Sequence, residues 1–158
     1  MSNEANTCRK YVEPKLKQAG WKTKPHDYIE QYYFTDGKIR PNNQRQRREK
    51  RKFADYLLLY NDDFPLAVVE AKRQGKTPDE GLAQAKNYAQ ILGVKFAYST
   101  NGNGIVEYDF TTGLQSEVMA WFPTPDELWR RLKQDEGLSE EIAPWRWHRR
   151  ENKGRITQ

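Results

Sequence analysis

Cysteine is all but absent from this chain. Cys8 stands alone among 158 residues, so there is no disulfide framework, and the two histidines complete no Cys/His zinc spacing. Long apolar runs are missing too: none approaches the ~20 residues that span a bilayer, so no membrane association is expected. The start, Met1-Ser2-Asn3-Glu4-Ala5-Asn6, lacks the basic and apolar regions of a signal peptide, and a cytoplasmic protein is the expectation. No Gly-x-x-x-x-Gly-Lys-Ser/Thr phosphate loop occurs, so that kind of NTPase is not carried here. Aromatic residues, by contrast, are plentiful. At 13%, with five Trp and nine Tyr, they argue against disorder and for one domain with a substantial core.

An excess of positive charge is absent over most of the chain and concentrated in one stretch. The net charge is +5, yet Arg40 to Lys52 holds seven basic residues against Glu49 alone, which leaves the remainder close to neutral. Such a run is often only a solvated loop. Arg45, Arg47 and Arg48 sit directly upstream of the apolar segment considered next, where they would suit a phosphate backbone and give salt-dependent binding.

That segment is Ala54-Asp55-Tyr56-Leu57-Leu58-Leu59-Tyr60, followed by Asn61-Asp62-Asp63-Phe64 and then Pro65-Leu66-Ala67-Val68-Val69-Glu70-Ala71-Lys72. It reads as a β-hairpin with ionisable residues where burial normally excludes them. If Asn61 to Phe64 form the loop, Tyr60 faces Pro65 and Asp55 faces Glu70, with Cβ atoms ~4.5–5.5 Å apart. Side chains alternate along a strand, so Glu70 and Lys72 share a face. Two adjacent carboxylates repel unless a cation lies between them. Oxygen donors suit Mg²⁺, which takes one or two carboxylates and keeps several waters. With a lysine alongside, the set suits metal-assisted hydrolysis of a phosphodiester. On spacing alone Asp-x(14)-Glu-x-Lys is a loose pattern, and a solvated strand end is the alternative.

Around the hairpin, helical spacing from about Glu4 to Ala19 predicts an amphipathic helix kinked or divided at Pro14 and stopped at Gly20, with Trp21 folding back as core. Tyr28 to Thr35 reads as a strand closed by an Asp36-Gly37 turn. Thr77-Pro78-Asp79-Glu80 predicts a capped helix that ends at Gly93, with Leu82, Ala85, Ala89 and Leu92 as its apolar stripe and Gln84 and Tyr88 on one edge. Strands are expected at Val94–Thr100, Ile105–Phe110 and Leu114–Phe122, with a turn at Asn101-Gly102-Asn103-Gly104. Strand, helix, strand implies a parallel pairing. Thr124-Pro125-Asp126-Glu127 repeats the helix-start signal, and this helix should reach about Gln134. The tail Pro144-Trp145-Arg146-Trp147-His148-Arg149-Arg150 suits either base stacking or docking of its tryptophans on protein.

These residues carry a resemblance. Cys8-Arg9-Lys10 leading to Ala19-Gly20-Trp21, then Ala54-Asp55-Tyr56-Leu57, Pro65 to Lys72, Glu80-Gly81-Leu82-Ala83-Gln84-Ala85, Tyr88-Ala89, Thr100-Asn101-Gly102 and Phe122-Pro123-Thr124-Pro125-Asp126-Glu127-Leu128 resemble the N-terminal endonuclease domain of the R subunit of type I restriction–modification enzymes. The resemblance implies an α/β fold of the PD-(D/E)xK restriction-endonuclease type, a mixed β-sheet flanked by helices. It implies Mg²⁺-dependent cleavage of double-stranded DNA, with Mn²⁺ as a substitute. Asp55, Glu70 and the Ala71 carbonyl would be metal ligands and Lys72 the catalytic lysine. Gln84 and Tyr88 would match a Gln-x-x-x-Tyr motif for DNA engagement, and Glu4 an acidic residue on the first helix. Ala54 stands where the superfamily's name has Pro, a departure common in this family.

The same resemblance implies a nuclease domain over residues 1–136 and, over residues 137–158, a segment leading to an ATP-driven motor that this chain does not include. ATP would act only through that motor, and modification and specificity subunits would be partners. The alternative function is a DNA-binding or docking module that is inactive without its motor and partner subunits.

Overall fold

A computed structural model describes residues 4–35 and 51–137. Asp36-Gly37, the arginines Arg45, Arg47 and Arg48, and the tail from Pro144 to Arg150 lie outside the described residues, as does the expected 137–158 segment beyond Gly137.

The architecture is a mixed six-stranded sheet with helices on both faces. β1 (Asp27–Phe34), β2 (Lys52–Asn61), β3 (Phe64–Ala71), β4 (Phe96–Thr100), β5 (Ile105–Asp109) and β6 (Leu114–Gln115) lie in chain order across it. Every neighbour pair is antiparallel except β3 and β4. That exception follows from the helix α3 (Leu82–Leu92) between them, since a parallel return needs a crossover. The α/β expectation is therefore met.

Alternation along β2 divides the core. Tyr56 and Leu58 join a cluster with Val12, Leu16, Trp21, Phe64, Leu128 and Trp129, on the side of the N-terminal helices and α4 (Pro125–Glu136). Leu57 and Leu59 join Val68, Ala85, Tyr88, Ala89 and Ala97, on the side of α3. Both faces of the central strands are thus covered, which explains why β3 reads as a nearly unbroken apolar run. Trp21 is fully buried, and its Nε1–H donates to the Pro123 carbonyl at 3.0 Å, tying the N-terminal helices to the entrance of α4.

Four local expectations are corrected. The first helix is neither simply kinked nor split at Pro14. It runs as α1 (Glu4–Thr7), a π-helical turn over Cys8–Val12, and α2 (Glu13–Gln18). Pro14 sits in the first turn of α2, where its missing N–H costs nothing, and the Glu13 N–H reaches back to the Cys8 carbonyl. Gly20, at φ +98°, stops α2 as expected.

The helix expected at Thr77 begins at Leu82, with Gly81 as its N-cap and no side-chain cap. The Thr77–Glu80 segment forms turns instead, because the Gly81 N–H is taken by the Ser99 hydroxyl on β4 at 2.9 Å. The strand expected over Leu114–Phe122 shrinks to β6 and a single bridge between Ile105 and Met119. There the Ser116 hydroxyl takes the Glu107 N–H, a side-chain bond that competes with the ladder. The hairpin turn is tighter than expected, with Asn61 and Phe64 already paired.

Candidate active site

The tighter turn leaves the far end of the hairpin in its expected register. One irregularity between Leu59 and Asn61 and another between Leu58 and Leu59 cancel, so that Leu58 pairs with Ala67 and Tyr56 with Val69. One step further stand Asp55 and Glu70. Here side chains carry on the pairing. The Asp55 N–H donates to Glu70 Oε2 at 2.8 Å, and the Ala71 N–H donates to Asp55 Oδ2 at 2.8 Å. Each carboxylate is thereby tethered at one oxygen by the backbone of the opposite strand.

Burial makes this arrangement electrostatically tense. Glu70 is 3% exposed. Burial, and next the Asp55 charge, push its carboxyl from 4.5 up to about 8, against the opposing effects of the Asp55 N–H and Lys72. Asp55 is raised as well, by burial first, with the Ala71 N–H and Gln31 holding it back. The buried Cys8 thiol feels the same charge. Burial and then Asp55 raise it to about 12, so it is no nucleophile.

Lys72 follows Glu70 off the strand end, its N–H donating to the Thr100 carbonyl at 2.8 Å. Its Nζ lies 3.7 Å from Glu4 Oε1, so the first helix does bring an acid to this patch. The chain beyond Lys72 is held by Asn101, whose Nδ2 donates to the Lys76 carbonyl at 2.8 Å. Gly81 then passes over the site: a Cβ there would lie 3.1 Å from Ser99 Oγ and 3.4 Å from both Glu70 Cβ and Lys72 Cε. Glycine lets the start of α3 approach this closely.

Gln84 and Tyr88 are together on α3, with Gln84 Nε2 donating to the Tyr88 hydroxyl at 2.6 Å. Tyr88 is buried edge-on against Phe34, with ring centroids 4.9 Å apart, while Gln84 is exposed. Tyr88 thus belongs to the apolar stripe that the sequence assigns to Leu82, Ala85, Ala89 and Leu92, and only the amide of Gln84 faces outward.

One site residue is absent from the sequence reading. Gln31 on β1 donates from Nε2 to Asp55 Oδ1 at 3.2 Å, and its backbone sits at φ +50°. Nothing in the sequence marks it. The β1–β2 register cannot be counted across the long connection between the strands, and glutamine is not a residue associated with positive φ.

Among the described residues no three Asp, Glu, His or Cys side chains gather as a metal cluster. The donor set is one buried and one half-buried carboxylate, Glu70 and Asp55, whose repulsion a divalent cation would relieve, with the Ala71 carbonyl next in sequence. Such a set suits Mg²⁺, which completes its shell with water and substrate oxygens. Lys72 and the freed lone pairs of Asp55 and Glu70 lie within one small patch, and that combination can bind and polarise a phosphate ester.

A family model described as the type I restriction enzyme R protein N terminus matches residues 23–123. The type I restriction enzyme EcoAI endonuclease subunit of Escherichia coli is 31% identical over 146 residues, covering 89% of this chain and 18% of that protein. A solved fragment assigned as an HsdR subunit of a type I restriction enzyme from Vibrio vulnificus YJ016 is 54% identical. It superimposes with a TM-score of 0.79 over 89% of this chain and 27% of the other. The chain therefore spans under a third of either relative.

Proposed function

This chain belongs to the family of type I restriction enzyme R protein N termini, and on that premise we propose that it is a Mg²⁺-dependent endonuclease domain acting on double-stranded DNA. The observation that carries the reading is the reciprocal pair of 2.8 Å bonds that lock Asp55 and Glu70 side by side next to Lys72. A divalent ion held by Asp55, Glu70 and the Ala71 carbonyl would supply Lewis-acid stabilisation of charge at the scissile phosphate. Mn²⁺ would substitute.

The chain's own residues do the rest. Asp55 and Glu70 would hold the ion as carboxylates, with Glu70, raised to about 8, releasing its proton to solvent. Glu4 holds the Lys72 ammonium at the patch, where it orients the attacking water or offsets phosphate charge. Gln84, anchored by Tyr88, presents an amide to the DNA backbone, and Arg45, Arg47 and Arg48 add phosphate contacts. In the whole enzyme, modification and specificity subunits and an ATP-driven motor would supply recognition and licensing.

Nicking of supercoiled plasmid tests this. Wild-type chain with Mg²⁺ or Mn²⁺ is expected to nick without sequence preference. Asp55→Ala and Lys72→Ala are expected to lose at least about 100-fold in rate while keeping the wild-type circular dichroism. Undiminished nicking by both variants would sink the assignment.

A further inference from the structure

Gln31 is the one non-glycine among the described residues with positive φ, and it lies inside a strand. At +50° the backbone is in the left-handed region, which favours glycine and, less often, asparagine. Such an outlier persists only where the surroundings over-determine it, and it then points to function. The pairing of β1 with β2 runs regularly on either side, Glu30 with Tyr56 and Tyr32 with Ala54, and skips the step between Gln31 and Asp55. The alternation also changes phase there. Tyr28 and Tyr56 pack on the side of the N-terminal helices, whereas Phe34 and Ala54 pack on the side of α3. The distortion thus falls opposite a proposed metal ligand, and the Gln31 amide spans the gap to Asp55 Oδ1 at 3.2 Å.

Resting on the nuclease reading above, we infer that Gln31 is a positioning residue for the divalent cation. Asp55 Oδ2 is held by the Ala71 N–H. Without a second bond the carboxylate would still turn about its Cβ–Cγ axis. The Gln31 donor fixes that torsion and leaves a further lone pair on each oxygen for the ion, since a carboxylate oxygen accepts more than one partner. A neutral amide does this without adding charge, so it neither competes with Lys72 nor enlarges the carboxylate repulsion. Hydrogen-bond partners of metal-ligating carboxylates are worth about 10–100-fold in metal affinity.

The test is a Mn²⁺ titration of the full chain, followed by the electron paramagnetic resonance signal of the free ion. Gln31→Gly is the informative variant, because glycine accepts the left-handed backbone and removes the amide together with its two exposed methylenes. Its thermal midpoint is expected at or above wild type, with the Mn²⁺ dissociation constant weakened about tenfold. The Mg²⁺ concentration for half-maximal nicking should rise in step, with the KM for DNA unmoved. Wild-type Mn²⁺ affinity in Gln31→Gly would overturn the role of Gln31 alone, provided that Asp55→Ala abolishes binding. A lowered midpoint accompanying weaker binding would also overturn it, by making Gln31 a structural residue. Absence of Mn²⁺ binding in the wild type would instead bring down the metal reading itself.

Discussion

At the scale of single residues, the protonation of Glu70 is the most exposed consequence of the site. Its carboxyl is raised from 4.5 to about 8, so the fold favours the protonated form. The resulting stability is fully present below about 4.5 and is lost as pH rises through about 8, at no more than about 1.4 kcal/mol per pH unit. The upward shift of Asp55 has the same sign. Urea denaturation without divalent ions should therefore show wild type weakening between pH 5 and 8.5. Glu70→Gln, which keeps an acceptor for the Asp55 N–H, should flatten that slope and be the more stable protein at pH 8.5, by about 1–3 kcal/mol. An unchanged slope in the variant would refute the assignment of the shift to Glu70. Asp55 and Glu70 are legible in the sequence because alternation and a short loop determine what faces what. Gln31 is not, because its contact crosses a connection whose length conceals the register.

At the scale of elements, one tetrapeptide occurs twice with different outcomes. Thr124-Pro125-Asp126-Glu127 starts α4, and the Thr124 hydroxyl accepts the Glu127 N–H at 3.2 Å. Leu128 and Trp129 follow at once and are buried, so packing secures the first turn. Thr77-Pro78-Asp79-Glu80 has the same capping chemistry but is followed by Gly81, whose N–H and Cβ-less face are committed to β4 and the site. The helix therefore waits until Leu82. Thr124→Ala should cost about 1 kcal/mol in urea denaturation, whereas Thr77→Ala, at an exposed position that caps no helix, should fall within about 0.5 kcal/mol of wild type. Equal losses would mean that both threonines cap. The first helix teaches a similar lesson. Its buried positions Cys8, Val12 and Leu16 follow from spacing, but the π turn that keeps them aligned before Pro14 does not.

At the scale of the whole molecule, the site stands where four separate parts of the chain meet: the hairpin end, β1 through Gln31, the first helix through Glu4, and the start of α3 through Gly81. The basic run upstream of β2 would supply the long-range attraction to DNA in the proposed function. Neutralising Arg45, Arg47 and Arg48 together should weaken DNA binding across sequences and reduce the slope of log K against log salt by up to about 3, as read by fluorescence anisotropy. A slope equal to wild type would remove these arginines from the interface. Composition, apolar alternation and hairpin arithmetic were enough to establish an α/β domain with Asp55, Glu70 and Lys72 at one strand end, because those properties depend on neighbours in sequence. Tertiary packing alone decided where α3 begins, how Tyr88 came to be buried, and why Gln31 meets Asp55. Each of those depends on a contact between residues far apart in the chain, where close packing and the need to satisfy buried hydrogen bonds override local preference.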